Sequence, residues 1–334
     1  MENNINAKLE NKSSVNVKNL VRTNAIWLVF LIEIIFFNIF SKGTFLSGNN
    51  MVNIMRQVSY YGIASVGMTF VILIAGIDLS IGSIITLVNM ICAFILMNMP
   101  ENPMTFVVAL LVSLIVGILI GLLNGTMVAF IGMPALIATF AAQTVFEGIA
   151  FLITNGRPIS GFKKAYPAID FFARWTVGPI PICAIIMVVC FAIGSFILNK
   201  SYFGRYFYAI GGNEEAAELS GIRVNKMKLL IYSLSGFFAS LAGIVLLSRS
   251  GSAQTTVGKG LEFDVITCVV LGGVSVNGGV GRISGVVAGV LIIGCLTNGM
   301  ILLNVSEYIQ MVVKGLVLAA AVGMDCLSNK GRAT

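Results

Sequence analysis

The stretch from Thr105 to Leu123 reads TFVVALLVSLIVGILIGLL and contains no charged residue. A helix needs about 20 predominantly apolar residues to cross the hydrocarbon core of a bilayer, so this run predicts a membrane-spanning helix. Nine other apolar segments lie before and after it in the chain. They lie at residues 25–40, 61–77, 82–98, 135–153, 181–198, 229–248, 265–276, 283–303 and 308–324.

These segments predict about ten spans within a membrane domain at residues 25–325. Several are shorter than a full crossing and 265–276 is the weakest, so it is a candidate re-entrant segment, and eight or nine spans remain alternatives. The first segment follows a basic start, like that of a signal peptide, but no small-x-small cleavage pattern comes after it. We therefore interpret it as a retained first span.

The composition predicts an all-α, polytopic membrane protein in which some helices are short or broken. Of the 334 residues, 57% are hydrophobic and 10% are charged, and the mean hydropathy is +0.95. A soluble domain carries about 25% charged residues, so this chain cannot cover a water-facing surface. Its main solvent is therefore expected to be membrane lipid.

The basic residues indicate the side of the membrane on which each loop lies. With ten spans and the N-terminus inside, twelve of the 21 Lys and Arg residues are cytoplasmic and eight are external. Because these residues concentrate on the cytoplasmic side, we expect a cytoplasmic tail at each end, residues 1–24 and 326–334, in a protein of the cell inner membrane. The same bias accounts for the net charge of +7 without nucleic acid as a partner.

Histidine is absent from the sequence, which removes the commonest general base and metal ligand. Five of the six cysteines lie within apolar segments and lack metal-site spacing. They are best interpreted as small hydrophobic residues packed between helices. We therefore predict no catalytic residue, no metal site and no cofactor bound by this chain.

Two glycine ladders predict close helix contacts, because glycines spaced by four share one helix face and let two backbones approach. The ladders are Gly117, Gly121, Gly125 and Gly281, Gly285, Gly289. A weaker signal is an internal sequence similarity between residues 76–82 (GIDLSIG) and 273–279 (GVSVNGG). Transporters often contain two related halves with the pathway between them, so Ser275 and Asn277 join the candidates for a translocation path.

Asp78 is the most informative ionisable residue within the apolar segments, where a charge costs about 2.5–3.5 kcal/mol and usually faces protein or a water-filled path. It lies in Gly76–Ser80, which interrupts an apolar run, and such a break leaves backbone groups that side chains or a cavity must satisfy. Asp78 either lines or gates the path or caps the next helix with help from Ser80, and both roles are compatible. Glu33 and Lys314 are assigned no role.

Gln143 and Glu147 are spaced by four and form a polar stripe on an otherwise apolar helix. A path for a polar solute needs such groups, so both residues are path candidates. A hydrogen bond to a neighbouring helix would explain the pair equally well, and we favour this packing interpretation.

The internal loop 199–228 contains the signals of a two-turn helix: an N-cap, first-turn carboxylates, good helix formers and a C′ glycine. These residues are Asn213, Glu214, Glu215, Ala216, Ala217, Leu219, Ser220 and Gly221. A helix this short is unstable alone in water, so the membrane domain or a partner must hold it. We expect the small alanines to allow close approach by a groove on a partner.

Several of these motifs resemble the sugar-type permeases of ATP-binding cassette (ABC) importers, in particular the ribose and galactoside permeases. The resemblance covers about residues 45–325 and rests on Gly204–Ile222, Gly76–Gly82, Gly272–Gly281 and Gln310–Gly315. It implies a permease that pairs with a copy of itself and with two ATP-binding subunits, while an extracytoplasmic binding protein delivers the sugar. It also implies that the short helix in loop 199–228 docks on the ATPase.

Two other classes compete with this interpretation. A proton- or sodium-coupled secondary sugar carrier would use intramembrane carboxylates such as Asp78 and Glu147. A membrane-embedded enzyme has little support, because the chain has neither histidine nor a nucleophile–base motif. The chain also has no Gly-Lys-Ser phosphate loop, which fits a subunit whose ATPase is a separate protein. The sugar is not readable from the residues; the resemblance favours ribose, then galactose-type sugars.

Overall fold

The computed structural model describes residues 26–330. The predicted tail at residues 1–24 lies outside the described residues, as do residues 331–334 of the other tail. The first half of the described chain contains five helices. They are α1 (Ile26–Phe40), α2 (Gly48–Leu73), α3 (Ile81–Asn98), α4 (Pro103–Ala129) and α5 (Ala135–Thr154).

The second half begins with the four-residue helix α6 (Phe162–Ala165) and a 3₁₀ turn at Pro167–Phe172. Seven helices follow. They are α7 (Ile182–Lys200), α8 (Tyr202–Gly212), α9 (Glu214–Leu219), α10 (Val224–Ser250), α11 (Leu261–Leu271), α12 (Ile283–Leu302) and α13 (Glu307–Lys330). Residues 326–330, which were expected in a cytoplasmic tail, therefore continue the last helix.

The all-α membrane architecture is confirmed, and each of the ten apolar segments falls on a helix. Within residues 26–330, seven helices are long and apolar enough to cross a bilayer by themselves: α3, α4, α5, α7, α10, α12 and α13. Helix α1 is shorter. Helix α2 has 26 residues, but polar side chains such as Asn50, Arg56 and Gln57 occupy its first half. The count of ten spans is therefore approximate.

The first glycine ladder lies at the contact between α4 and α10, which confirms its role in packing. A Cβ atom added to Gly121 would meet Ser233 Cα at 2.9 Å, and one added to Gly125 would meet Leu229 Cα at 2.9 Å. The backbones of these helices are thus too close for any larger residue. In the second ladder, Gly285 and Gly289 of α12 pack on the end of α11, whereas Gly281 precedes α12.

Helix α11 has 11 residues, which corresponds to about 16 Å, or roughly half of the hydrocarbon core. It is the counterpart of the weak segment 265–276, and it ends five residues earlier than predicted. Gly258, three residues before α11 begins, lies beside Gly82 and Thr86 of α3, where its N–H donates to Thr86 Oγ1 at 3.0 Å. Helix α11 is therefore a half-helix that begins within the bundle.

The two segments with internal sequence similarity both connect membrane helices, and they contact each other. Residues 74–80 join α2 to α3, and residues 272–282 join α11 to α12. The Gly279 N–H donates to Leu73 O at 2.9 Å, and a Cβ atom added to Gly278 would meet Ala75 N at 2.8 Å. The two breaks therefore form one unit at one end of the bundle.

Two short β-ribbons lie at the opposite end. Strand β1 (Ile159–Ser160) pairs antiparallel with β4 (Ser252–Ala253), and β2 (Thr176–Val177) pairs antiparallel with β3 (Ile180–Pro181). Lys163 fastens this region to α10, because its Nζ is 2.6 Å from Asp170 Oδ1 and 2.7 Å from Ser248 O. Residues 154–181 thus form an ordered cap over the bundle.

Candidate translocation path and coupling surface

Asp78 is fully buried and accepts three hydrogen bonds in the break between α2 and α3. Its Oδ1 accepts from Ser80 N at 3.0 Å and from Ser80 Oγ at 2.6 Å. Its Oδ2 accepts from Ser235 Oγ of α10 at 2.8 Å. Ser80 Oγ in turn accepts from Asn124 Nδ2 of α4 at 2.7 Å. The carboxylate therefore joins the break to two other helices.

A side chain of α5 provides hydrogen-bond partners for backbone groups of the same break. Thr139 Oγ1 accepts from Leu79 N at 3.1 Å and lies 3.0 Å from Ile77 O, to which it can donate. Side chains thus replace the helical partners that the break removes, as buried backbone in a membrane requires. Asp78 does not cap α3, because Ser80 is the N-cap residue and no side chain makes a capping hydrogen bond there. The bond from Ser80 N instead gives Asp78 a local turn-stabilising role, which is compatible with a role in gating.

Gln143 and Glu147 of α5 contact a residue that the sequence did not bring forward. Gln143 Nε2 donates to Glu147 Oε1 at 3.2 Å and to Glu262 Oε1 of α11 at 3.1 Å. The predicted inter-helix hydrogen bond is therefore present, with Glu262 as the partner. Glu262 is 2% exposed, and its Oε2 has no hydrogen-bond partner within the described part of the chain.

Ser275 and Asn277 lie in the second break, beside α13. Ser275 Oγ donates to Asp325 Oδ2 at 3.1 Å, and Val276 N donates to the same oxygen at 3.0 Å. Ser275 is buried, whereas Asn277 is exposed and donates its N–H to Ser275 Oγ at 3.3 Å. The contacts of Ser275 therefore tie this break to the end of α13.

A second charged group lies between three helices. Lys314 Nζ of α13 is 2.7 Å from Asp264 Oδ2 of α11, and Tyr61 Oη of α2 donates to the same oxygen at 3.0 Å. The Asp264 side chain is 8% exposed. A buried charge that is paired and hydrogen-bonded avoids the large cost of an isolated one, so Lys314 and Asp264 hold α13 against the half-helix.

The short helix in loop 199–228 is α9, and its predicted ends are confirmed. Asn213 Oδ1 accepts from Ala216 N at 2.9 Å, which makes Asn213 the N-cap. Gly221 has φ +85° and its N–H donates to Glu218 O at 2.9 Å. This is the left-handed conformation that favours glycine after a helix.

The expectation that Ala217 faces a partner is wrong. Ala217 is 5% exposed and packs in the core of the chain itself, whereas Leu219 is 84% exposed. The other residues of the motif are exposed as well: Asn213, Glu214, Glu215, Ala216, Ser220 and Gly221. An ion pair of 2.6 Å between Glu214 and Lys228 also fastens α9 to α10. The membrane domain therefore holds this helix without a partner.

Helix α8 connects this surface to the second break. Tyr208 Oη donates to Gly281 O at 2.8 Å, and Gly211 lies against Leu73 O and Gly279 N. Burial raises the pKa of the Tyr208 phenol above its ordinary value, while nearby Arg282 acts in the opposite direction. The phenol therefore remains protonated at neutral pH and can donate this bond.

Comparison with known proteins places the chain. Residues 50–322 match a family described as the permease component of a branched-chain amino acid transport system. The chain belongs to this permease family.

Several curated relatives of the permease match most of its length. The ribose import permease protein of Bacillus subtilis (strain 168) is 48% identical, covering 84% of this chain and 86% of that protein. The ribose import permease protein of Haemophilus influenzae is 44% identical, with the same coverage. The L-arabinose transport system permease protein of Escherichia coli (strain K12) is 41% identical, covering 85% of each chain. No solved structure matches the chain.

The permease is thus a multi-pass membrane transport subunit and not an enzyme. Sequence reasoning missed Glu262, Asp264 and Tyr61. Each has a hydrogen-bond partner more than a hundred residues away in the chain: Gln143 for Glu262, and Tyr61 and Asp264 for each other. A signal was present, because Glu262 and Asp264 directly precede the weakest apolar segment, 265–276. Helix α8 was also missed, since the signals read from loop 199–228 concern only the short helix that begins after Asn213.

Proposed function

We propose that the permease imports a monosaccharide across the cell inner membrane as the membrane subunit of an ABC importer that works by alternating access. The observation that carries this proposal is 48% identity to a protein named as a ribose import permease. Ribose is therefore the first candidate substrate. L-arabinose follows because of the 41% identical L-arabinose permease, and galactose-type sugars come next.

The transport machinery requires partners. In the proposed assembly two copies of the permease form the path, two ATP-binding subunits hydrolyse ATP, and an extracytoplasmic sugar-binding protein delivers the sugar. The permease itself has no phosphate-binding loop, so ATP is used by the partner subunit. Both termini of the permease are placed in the cytoplasm, as the distribution of Lys and Arg favours.

The exposed surface of α9 is the proposed docking site for the ATP-binding subunit. Leu219 supplies an apolar side chain that is 84% exposed, and the carboxylates of Glu215 and Glu218 flank it on the same short helix. Loop residues outside a membrane bundle are free to meet a soluble partner, whereas Ala217 is covered by the permease. The partner groove is therefore expected to receive Leu219.

The contacts behind α9 give a route for movement. The Glu214–Lys228 pair connects α9 to α10, and Tyr208 connects α8 to the break before α12. A displacement of α9 would therefore move these elements together as a rigid group and reach the neighbouring break after Leu73. Alternating access requires such coordinated movement of helices around a site.

Replacement of Leu219 by aspartate tests the docking surface. Because Leu219 is exposed, Leu219→Asp should leave the permease folded but reduce co-purification of the ATP-binding subunit and ATP-driven uptake at least tenfold. Val177→Asp, at an exposed residue in the cap at the opposite end, is the matched control and should retain the subunit. Normal co-purification and uptake in Leu219→Asp would contradict this docking surface.

The substrate is tested by complementation. The permease, with its own ATP-binding subunit and binding protein, is expressed in a bacterial strain that lacks ribose uptake. Uptake of labelled D-ribose should be restored and should be competed by unlabelled ribose more strongly than by L-arabinose or D-galactose. Stronger competition by one of the other two sugars would reassign the substrate, and uptake of none of the three would contradict the proposed function.

A further inference from the structure

One amide joins two carboxylates inside the helical bundle. Gln143 Nε2 donates to Glu147 Oε1 at 3.2 Å and to Glu262 Oε1 at 3.1 Å. Glu262 is almost fully buried, yet its Oε2 has no hydrogen-bond partner in the part of the chain that the structure describes. This oxygen packs against Gly82 of α3. A buried acceptor without a partner is costly and rare in folded proteins, so Glu262 would be stabilised by a donor that reaches it when the helices move.

The cluster lies midway along one membrane helix and at the start of a half-helix. Helix α5 has 20 residues and carries Gln143 and Glu147 near its middle. Glu262 occupies the first turn of α11, the half-helix that begins within the bundle. In many transporters, substrate sites lie near the bilayer midplane and are formed by discontinuous helices. The arrangement of α5 and α11 has both of these properties.

An exposed aromatic side chain lies on the same helix face as part of the polar cluster. Phe140 is three residues before Gln143 and seven before Glu147, so all three share one face of α5. Phe140 is 58% exposed. Small-molecule sites commonly combine aromatic walls with a few polar groups that fix orientation.

We propose that Gln143, Glu147 and Glu262 bind the hydroxyl groups of the monosaccharide in transit, with Phe140 as an apolar surface for its C–H face. This inference rests on the proposed function, since it names the intramembrane site for that sugar. Ionised carboxylates only accept hydrogen bonds, and sugar hydroxyls supply the matching donors without net charge. A cation is disfavoured because the Gln143 N–H groups point at both carboxylates and occupy the position between them.

Equilibrium binding to the purified permease–ATPase complex tests this site without the binding protein. Labelled D-ribose and L-arabinose are the probes, measured by scintillation proximity. Loss of a charged acceptor should weaken binding of the transported sugar about tenfold or more in Glu262→Gln and in Glu147→Gln. Glu33→Gln is the matched control, because Glu33 is a carboxylate within another membrane helix, and its dissociation constant should be unchanged.

Phe140→Ala changes an exposed side chain and should not disturb folding. The test therefore does not depend on whether Glu262→Gln, which alters a buried residue, folds normally. Phe140→Ala should weaken sugar binding several-fold while the complex remains monodisperse. Unchanged binding in Glu147→Gln and Phe140→Ala would overturn the site. Sugar binding that requires sodium or a proton and loses that requirement in Glu147→Gln would also overturn it, in favour of a cation site.

The same preparation separates failure of the site from failure of the proposed function. Suppose that wild-type vesicles take up sugar with ATP. If the complex then shows no saturable sugar binding, or if binding is unchanged in the variants, the site alone is overturned. Absence of both ATP-driven uptake and binding for ribose and arabinose would overturn the proposed function together with the site.

Discussion

Replacement of Asp78 tests whether the break between α2 and α3 is held by hydrogen bonds to one carboxylate. Asp78→Ala removes the acceptor for Ser80 N, Ser80 Oγ and Ser235 Oγ, which lie at 3.0, 2.6 and 2.8 Å. A hydrogen bond to a charged group contributes about 1.5–3 kcal/mol. The two hydroxyls can rotate to other acceptors, and removal of a buried charge recovers part of the loss, so we expect a net destabilisation of about 2–4 kcal/mol.

Asp78→Asn is the informative partner variant. It keeps the side-chain volume and one acceptor oxygen for Ser80, and its amide can donate to Ser235 Oγ. We therefore expect a loss of about 1 kcal/mol or less. Ser235→Ala removes one of the three bonds and should fall between the two. The assay is the thermal melting midpoint of each variant, purified in one detergent and followed by fluorescence-detected size exclusion.

Uptake per inserted molecule then separates the structural role from gating. If Asp78 also gates the path, Asp78→Asn should show only that small loss of stability and yet lose at least tenfold in uptake. A melting midpoint of Asp78→Ala equal to that of the wild type would refute the hydrogen-bond account. Full uptake by Asp78→Ala at normal expression would exclude the gating role.

The remaining predictions concern topology and packing. Cysteines are introduced at the exposed residues Glu101, Glu307 and Asn225 in a background without an accessible native cysteine. Those at positions 101 and 307 should react with an impermeant reagent from outside, and the one at position 225 only after permeabilisation. Labelling at position 225 in intact cells would invert the topology. Gly121→Val should lower the melting midpoint by the equivalent of about 3 kcal/mol or more, because its side chain would collide with the α10 backbone. Gly148→Ala on α5 has open space around it and should melt like the wild type.

The helices and their closest contacts could be predicted because both signals are local. A run without charges identifies a span, and glycines spaced by four identify a face. Gly121 and Gly125 therefore predicted a close-packed face on α4, and the structure supplies α10 as the helix that packs there. The N-cap of α9 at Asn213 was predictable for the same reason, since capping depends on neighbours within four residues.

The polar site could be predicted only in part, because its contacts join distant segments. Gln143 and Glu147 formed a visible stripe, but Glu262 lies 119 residues further along the chain. Ala217 shows a related difficulty. Its small size is compatible with a partner surface and with close packing inside the permease, and burial decides between them only once α8 and α10 are placed.

Proteoliposomes that contain the permease and its ATP-binding subunit test whether ATP hydrolysis drives sugar import. Labelled ribose uptake is measured with external binding protein and internal ATP, and each component is then omitted in turn. Uptake should require both proteins and ATP hydrolysis, and it should persist when sodium and proton gradients are collapsed. Uptake without ATP that follows a sodium or proton gradient would contradict ABC-type import and identify a secondary sugar carrier.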